Sequence, residues 1–163
     1  MRLRHLELKD AQLQLEWMHD IDVYSQFQQD FEHRTIQDVI NFIENSCNDK
    51  HQHFAVVDDL DEYLGTVSLK NIDYVSSEAE YAIVVRKSKW GMGVGRFAST
   101  EIIKIANELR LNKVYLTVLE ENYSAQYLYE SIGFRHMPER DQLLQIRNRE
   151  RLNRYYEYQV RKE

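Results

Sequence analysis

The stretch Trp90-Gly91-Met92-Gly93-Val94-Gly95-Arg96 lies between an apolar run, Tyr81-Ala82-Ile83-Val84-Val85, and a segment from Phe97 to Leu109 with helical spacing. A strand, a glycine-rich turn and a helix start therefore meet here. The first turn of a helix leaves backbone N–H groups without partners and carries the positive end of the helix dipole, so such a junction suits an anion. Glycines let the backbone take up φ > 0 and come close to a ligand. Lys87, Lys89 and Arg96 add positive charge around the turn, in a chain whose formal net charge is −6. A phosphorylated ligand is the expectation. The dinucleotide fingerprint G-x-G-x-x-G does not fit, because Gly95 follows Gly93 too soon, and a G-x-x-x-x-G-K-[ST] loop is absent.

Downstream come a β-branched run, Lys113-Val114-Tyr115-Leu116-Thr117-Val118, and then Asn122-Tyr123-Ser124-Ala125-Gln126-Tyr127-Leu128-Tyr129-Glu130-Ser131-Ile132-Gly133-Phe134. The glycine loop followed by N-x-x-A-x-x-L-Y-x-x-x-G-F resembles the GNAT superfamily of acetyl-coenzyme A dependent N-acetyltransferases. The matching stretch, Glu78 to Phe134, covers roughly a third of the chain. The resemblance implies an α/β (α+β) fold: a mixed, mostly antiparallel central sheet with a splayed parallel strand pair, flanked by about four helices. It also implies a single N-acetyltransferase domain over residues 1–163. Acetyl-CoA is then the co-substrate, and neither a metal nor a covalent intermediate is needed.

By the same resemblance, main-chain groups of Ile83, Val84 and Val85 bond the pantetheine arm. N–H groups of Gly91, Met92, Gly93, Val94, Gly95 and Arg96 hold the pyrophosphate, and Asn122 bonds the pantetheine amide. Tyr129 presents a phenol to the departing sulfur, while Tyr127, on another helix face, joins the coenzyme-binding set. An amine attacks only when neutral, so its proton needs an acceptor. Glu80 is the expected base, with Glu78, of the same strand parity, in reserve. A backbone N–H near Val84 or Val85 stabilises the oxyanion. The family usually begins its glycine loop with Gln or Arg, where this chain has Trp90.

The remaining elements follow from periodicity. Alternation predicts a first strand from about Arg2 to Leu8, and Asp10 is placed to cap a helix over Ala11 to His19. The stretch Asp20 to His33 is irregular and dense in aromatics, with Tyr24, Phe27 and Phe31 as core or pocket residues. Thr35 with Asp38 reads as a capping box for a second helix. A meander over His53 to Val57, Tyr63 to Ile72 and Glu78 to Val85 precedes the loop. A helix between Glu78–Val85 and Lys113–Val118 lets those strands run parallel. Ser124 to Ser131 is helical and ends at Gly133. Leu152 to Val160 is a last strand, and Leu143 to Ile146 is open between strand and helix.

The chain has 163 residues, 43% hydrophobic and 29% charged, which fits a globular domain able to bury a core. The net negative charge argues against a nucleic-acid partner, whose binding rests on Lys and Arg. Arg140, Arg147, Arg149, Arg151, Arg154 and Arg161 alternate with Glu139, Asp141, Glu150 and Glu157, so ion pairing is expected of them. Cys47 is the single cysteine and is expected to be inert; with no long apolar run, a cytoplasmic protein without a membrane partner is the expectation. His51-Gln52-His53 lacks further ligands at metal spacing. The expected partner is a small-molecule amine such as an amino sugar or a polyamine, with the protein a monomer or homodimer. A ribosomal-protein or other protein N-terminal acetyltransferase, and a non-catalytic acyl-CoA-binding module, remain the alternatives.

Overall fold

The computed structural model describes residues 1–161. The chain runs through strand β1 (Arg2–His5) and helices α1 (Ala11–Met18), α2 (Ile21–Tyr24) and α3 (Ile36–Glu44). Strands β2 (Gln52–Val57), β3 (Tyr63–Asp73) and β4 (Glu78–Val85) come next, then α4 (Val94–Glu108), β5 (Lys113–Leu119) and α5 (Tyr123–Ile132). It closes with β6 (Arg135–His136), β7 (Gln142–Ile146) and β8 (Arg149–Gln159). The strands form one sheet in the order β1-β2-β3-β4-β5-β8-β6, with β7 paired to β8. Only β4 and β5 are parallel; the other pairs are antiparallel. This is the mixed, mostly antiparallel α/β arrangement expected from the sequence.

Strand alternation gives each sheet face its own core. On β2, Val56 joins the cluster formed with α4 and α5, whereas Ala55 and Val57 join the cluster under α1 and α3. Helix α4 buries Val94, Ala98, Ile102 and Ala106 in a four-residue repeat, which lays one stripe across the sheet. Across the other face lies α3, anchored by Val39 and Ile43 and opened by the reciprocal Thr35–Asp38 capping box.

Several details differ from the sequence-based expectation. Strand β1 stops at His5, because the chain turns through a 3-10 segment at Leu8–Asp10. Asp10 makes no side-chain cap to α1; its carboxylate accepts from the Arg4 guanidinium at 2.8 and 2.9 Å and from the Glu7 N–H. A buried ion pair therefore fixes the start of the helix. The ambiguous Leu143–Ile146 segment is strand, in a hairpin whose turn holds Arg147 and Asn148 at φ of 49° and 62°. That hairpin clamps the irregular stretch after α1: Arg147 donates to the carbonyls of Tyr24 and Phe27, and Arg151 to that of Ser25. Four of the six C-terminal arginines form ion pairs, Arg140 with Glu157, Arg147 with Glu32, and Arg149 and Arg151 with Glu121, while Arg154 donates to Gln126 and His136 instead. Among the described residues, no helix is long and apolar enough to cross a membrane.

Candidate active site

β4 and β5 are paired only from Glu78 to Glu80 against Lys113 to Tyr115. Beyond that point they part, and a cleft of about 780 Å³ opens between them. The Arg86 N–H donates to the Leu64 carbonyl at 3.0 Å, which fixes the parity of the β3–β4 ladder. Alternation then turns the main-chain groups of Tyr81, Ile83 and Val85 toward the cleft and those of Ala82 and Val84 toward β3. Of the main-chain partners expected for a pantetheine arm, Ile83 and Val85 therefore remain on the open edge, and Val84 does not. Its carbonyl lies so close to Gly65 that a Cβ there would stand 2.3 Å away, which is why β3 carries glycine at that point. Trp90 borders the cleft and donates its indole N–H to the Val85 carbonyl at 3.0 Å, leaving the Val85 N–H on the open edge.

The glycine loop ends the cleft. Gly91 and Gly93 sit at φ of +76° and +79°, and a Cβ added at either meets nothing within 4 Å, so the loop is an open cradle. Gly93 is the N-cap of α4 without any side-chain cap, and the first intrahelical donor is the Phe97 N–H. The N–H groups of Val94, Gly95 and Arg96 are left for a ligand. Gly91, Gly93, Val94, Gly95 and Arg96 line the cleft, but Met92 is 63% exposed and lies outside it. Arg96 and Lys89 border the site, whereas Lys87 is drawn away into an ion pair with Asp22.

The start of α5 closes the other side. Asn122 caps the helix, its carboxamide oxygen accepting from the Ala125 N–H at 3.3 Å, and it borders the cleft with Ser124, Ala125, Leu128 and Tyr129. Tyr129 is 7% exposed, edge-on to Tyr81 at 5.8 Å. Burial pushes its phenol above the ordinary value, so the group stays protonated. Its hydroxyl makes no hydrogen bond within the described residues. Tyr127 points away: it is 74% exposed and does not line the cleft, contrary to the coenzyme role expected of it, because positions two apart on a helix face different ways. Glu80 borders the cleft and is paired with Lys70 at 2.9 Å; Glu78 is paired with Lys113 at 3.1 Å on β5.

A second cavity, of about 320 Å³, lies behind β4 on the opposite face of the sheet. Its floor is Thr66, Ser68 and Lys70 of β3, Ala82 and Val84 of β4 and His53 of β2; α1 and α3 cover it with Gln14, Trp17, Met18, Val39 and Phe42. Phe27, Gln29, Lys70, Ala82, Ile83 and Val84 belong to both cavities, so the two meet across β4. Gln14, Lys70, Gln142 and Asn153 were not singled out by sequence, since no spacing links them to the glycine loop.

Two histidines at metal-like spacing have hydrogen-bond partners within the protein. The His51 imidazole accepts from the Asn71 N–H at 3.1 Å, and His53 bonds Ser68 at 2.6 Å. Among the described residues, Asp30, Glu32 and His33 bring ligand-type atoms within 4.8 Å of one another on the surface, where Arg147 already binds Glu32. Cys47 is exposed, with its sulfur 3.3 Å from His5 Nδ1.

The model of the Acetyltransferase (GNAT) domain family matches residues 1–135. The chain belongs to the GNAT acetyltransferase family. Among curated GNAT relatives, a spermidine N(1)-acetyltransferase of Vibrio cholerae is 34% identical over 52% of this chain and 53% of its own, so the match spans about half the length of that relative. The spermidine N(1)-acetyltransferase of Escherichia coli K12 is 27% identical over 82% of this chain and 72% of its own. Among solved structures, the Vibrio cholerae spermidine N-acetyltransferase in complex with CoA and spermine superposes with a TM-score of 0.87, covering 98% of this chain and 95% of that one at 22% identity. At that identity the likeness establishes the GNAT fold. The open cradle at Gly91 and Gly93 and the unpaired edge of β4 are a fit for the coenzyme that the family name implies.

Proposed function

We propose that this chain is an acetyl-CoA dependent N-acetyltransferase that moves an acetyl group directly to the primary amine of a small molecule, with residues 1–163 acting as one domain. The observation that carries this is the parting of β4 from β5 at Glu80, where a free strand edge runs into an uncapped, glycine-lined helix start. Acetyl-CoA supplies the acetyl group as a thioester. On the protein's side, the N–H groups of Val94, Gly95 and Arg96 bind the pyrophosphate, and Ile83 orients the pantetheine arm through its main chain. Asn122 contributes its amide N–H to the same arm while its oxygen caps α5.

The amine nitrogen attacks the acyl carbon, the C–S bond breaks, and the amine's proton passes to Glu80, directly or through water. The Val85 N–H faces the negative charge that develops on the acyl oxygen, in a site where a fixed donor is worth most. Tyr129, kept protonated by its burial, donates its proton to the departing sulfur. Lys70 holds the Glu80 carboxylate at the junction of the two cavities, so the proton acceptor stands between acceptor and coenzyme.

Calorimetric titration with acetyl-CoA, followed by thiol release over a panel of amines, tests the proposal. Binding with turnover is expected; binding without turnover on any amine points to an acyl-CoA-binding module, and no binding overturns both. Glu80→Gln is expected to lower turnover without changing acetyl-CoA affinity, and unchanged turnover removes Glu80 from the mechanism.

A further inference from the structure

Gln14 is 0% exposed, and neither its carboxamide oxygen nor its nitrogen has a hydrogen-bond partner among the described residues. Among the described residues, they are the only buried side-chain polar atoms so placed. A buried amide without partners is destabilising by about 1–3 kcal/mol for each unsatisfied group, so an orphan of this kind calls for an occupant. Gln14 lines the cavity behind β4, the side of the strand opposite the coenzyme cleft.

The rest of that cavity limits the occupant. Its aromatic and aliphatic walls, Trp17, Phe27, Phe31, Phe42 and Val84, suit an uncharged body. Apart from Lys70, the polar groups of its floor are neutral. His53 is held neutral by burial and bonds Ser68, and Thr66 bonds the Tyr63 hydroxyl. The charged lining residues are Arg34, Asp38 and Lys70, two cations against one carboxylate. The Asp38 carboxylate is already spent on capping α3, and Lys70 neutralises the neighbouring Glu80. A polycation would have to bury ammonium groups here without counter-charges, which is strongly unfavourable.

We propose that this cavity receives the uncharged, amide- or hydroxyl-bearing body of a monoamine acceptor, and that Gln14 determines specificity by hydrogen-bonding that group. The proposal rests on the acetyl transfer proposed above and departs from the polyamines for which the relatives are named. A turn of the flexible Gln14 side chain toward the cavity exchanges an unpaired amide for a paired one. The acceptor's amine then points past Ala82 and Ile83 toward Glu80 and the coenzyme.

Gln14→Leu separates this from a structural role. Glucosamine, β-alaninamide, phenethylamine and spermidine serve as probes, with calorimetric binding and thiol-release kinetics measured on wild type and variant together with thermal melts. Glucosamine or β-alaninamide is expected to bind best. In the variant its affinity falls about tenfold, the size of one hydrogen bond, with the KM for acetyl-CoA unchanged, phenethylamine unaffected and the melting temperature not lowered. Preference for spermidine, or for none of the hydroxyl and amide probes, overturns the proposal. A variant that melts lower and binds acceptors like wild type does so as well, by making Gln14 structural. Absence of thiol release with any amine counts against acetyl transfer itself, while the binding arm still reads Gln14.

Discussion

The two cavities that share β4 are made of different material. The larger one is walled by main chain: a strand edge without a neighbour, a glycine turn and the open end of a helix. The smaller one is walled by side chains drawn from α1, α3, β2, β3 and β4. A main-chain wall tolerates changes of side chain and serves a ligand common to a family, whereas a side-chain wall can be rewritten residue by residue. Members of one family can thus share a coenzyme cleft and differ in what stands behind it.

That contrast can be broken in several places. Tyr129 is an exception on the coenzyme side, a side chain there that, like Glu80 at the border, is asked to do chemistry. Tyr129→Phe is expected to lower kcat by on the order of 10²-fold with acetyl-CoA affinity unchanged, as read by single-turnover kinetics and titration; full turnover would remove Tyr129 from the mechanism. Gly93→Val forces a β-branched residue to a φ of +79° and puts atoms into the cradle. Strain of about 1–3 kcal/mol is expected to weaken acetyl-CoA binding by about tenfold or more, with acceptor binding in the smaller cavity preserved.

On the other side of β4 the test is one of stability. Burial, reinforced by His51 and Lys70, lowers the His53 imidazole to about 4, against an ordinary value of about 6.5. Between those values the folded protein holds fewer protons at His53 than the unfolded chain. Stability therefore falls as the pH drops from about 6.5 toward 4, by up to about 3 kcal/mol. Chemical denaturation of wild type across that range should show the fall, and His53→Gln should flatten it; equal slopes would mean that His53 is not desolvated. The smallest effect is expected from Met92→Ala and Tyr127→Ala, which should leave acetyl-CoA affinity within about twofold, since both side chains are solvated. A larger loss would show that these two side chains reach the coenzyme.

Legibility in the sequence follows the same division. The glycine loop and the Asn122–Phe134 pattern were readable because backbone demands impose residue types at fixed spacing: positive φ at Gly91 and Gly93, a helix end at Gly133, a cap at Asn122. The bounds of β4 and the parallel placement of β5 followed from alternation and the intervening helix. What periodicity did not carry was direction at single residues. Val84 and Val85 look alike in sequence, yet the ladder turns one to β3 and the other to the cleft. Tyr127 and Tyr129 are two positions apart and end in water and in the core. Asp10 has the chemistry of a helix cap, but Arg4, brought alongside by the end of β1, takes its carboxylate. Gln14 gave no signal, because a glutamine in an amphipathic helix is ordinary until its neighbours are known to leave it without a partner.

The protein has two tryptophans, Trp17 and Trp90, and the fold assigns one to each cavity. Each indole N–H is tied, to the Tyr63 hydroxyl and to the Val85 carbonyl, so neither chromophore spins freely. Replacing either with phenylalanine would leave a single tryptophan which, excited selectively beyond the absorption of the eleven tyrosines, reports on one chamber, and the order in which acceptor and coenzyme arrive becomes visible as light.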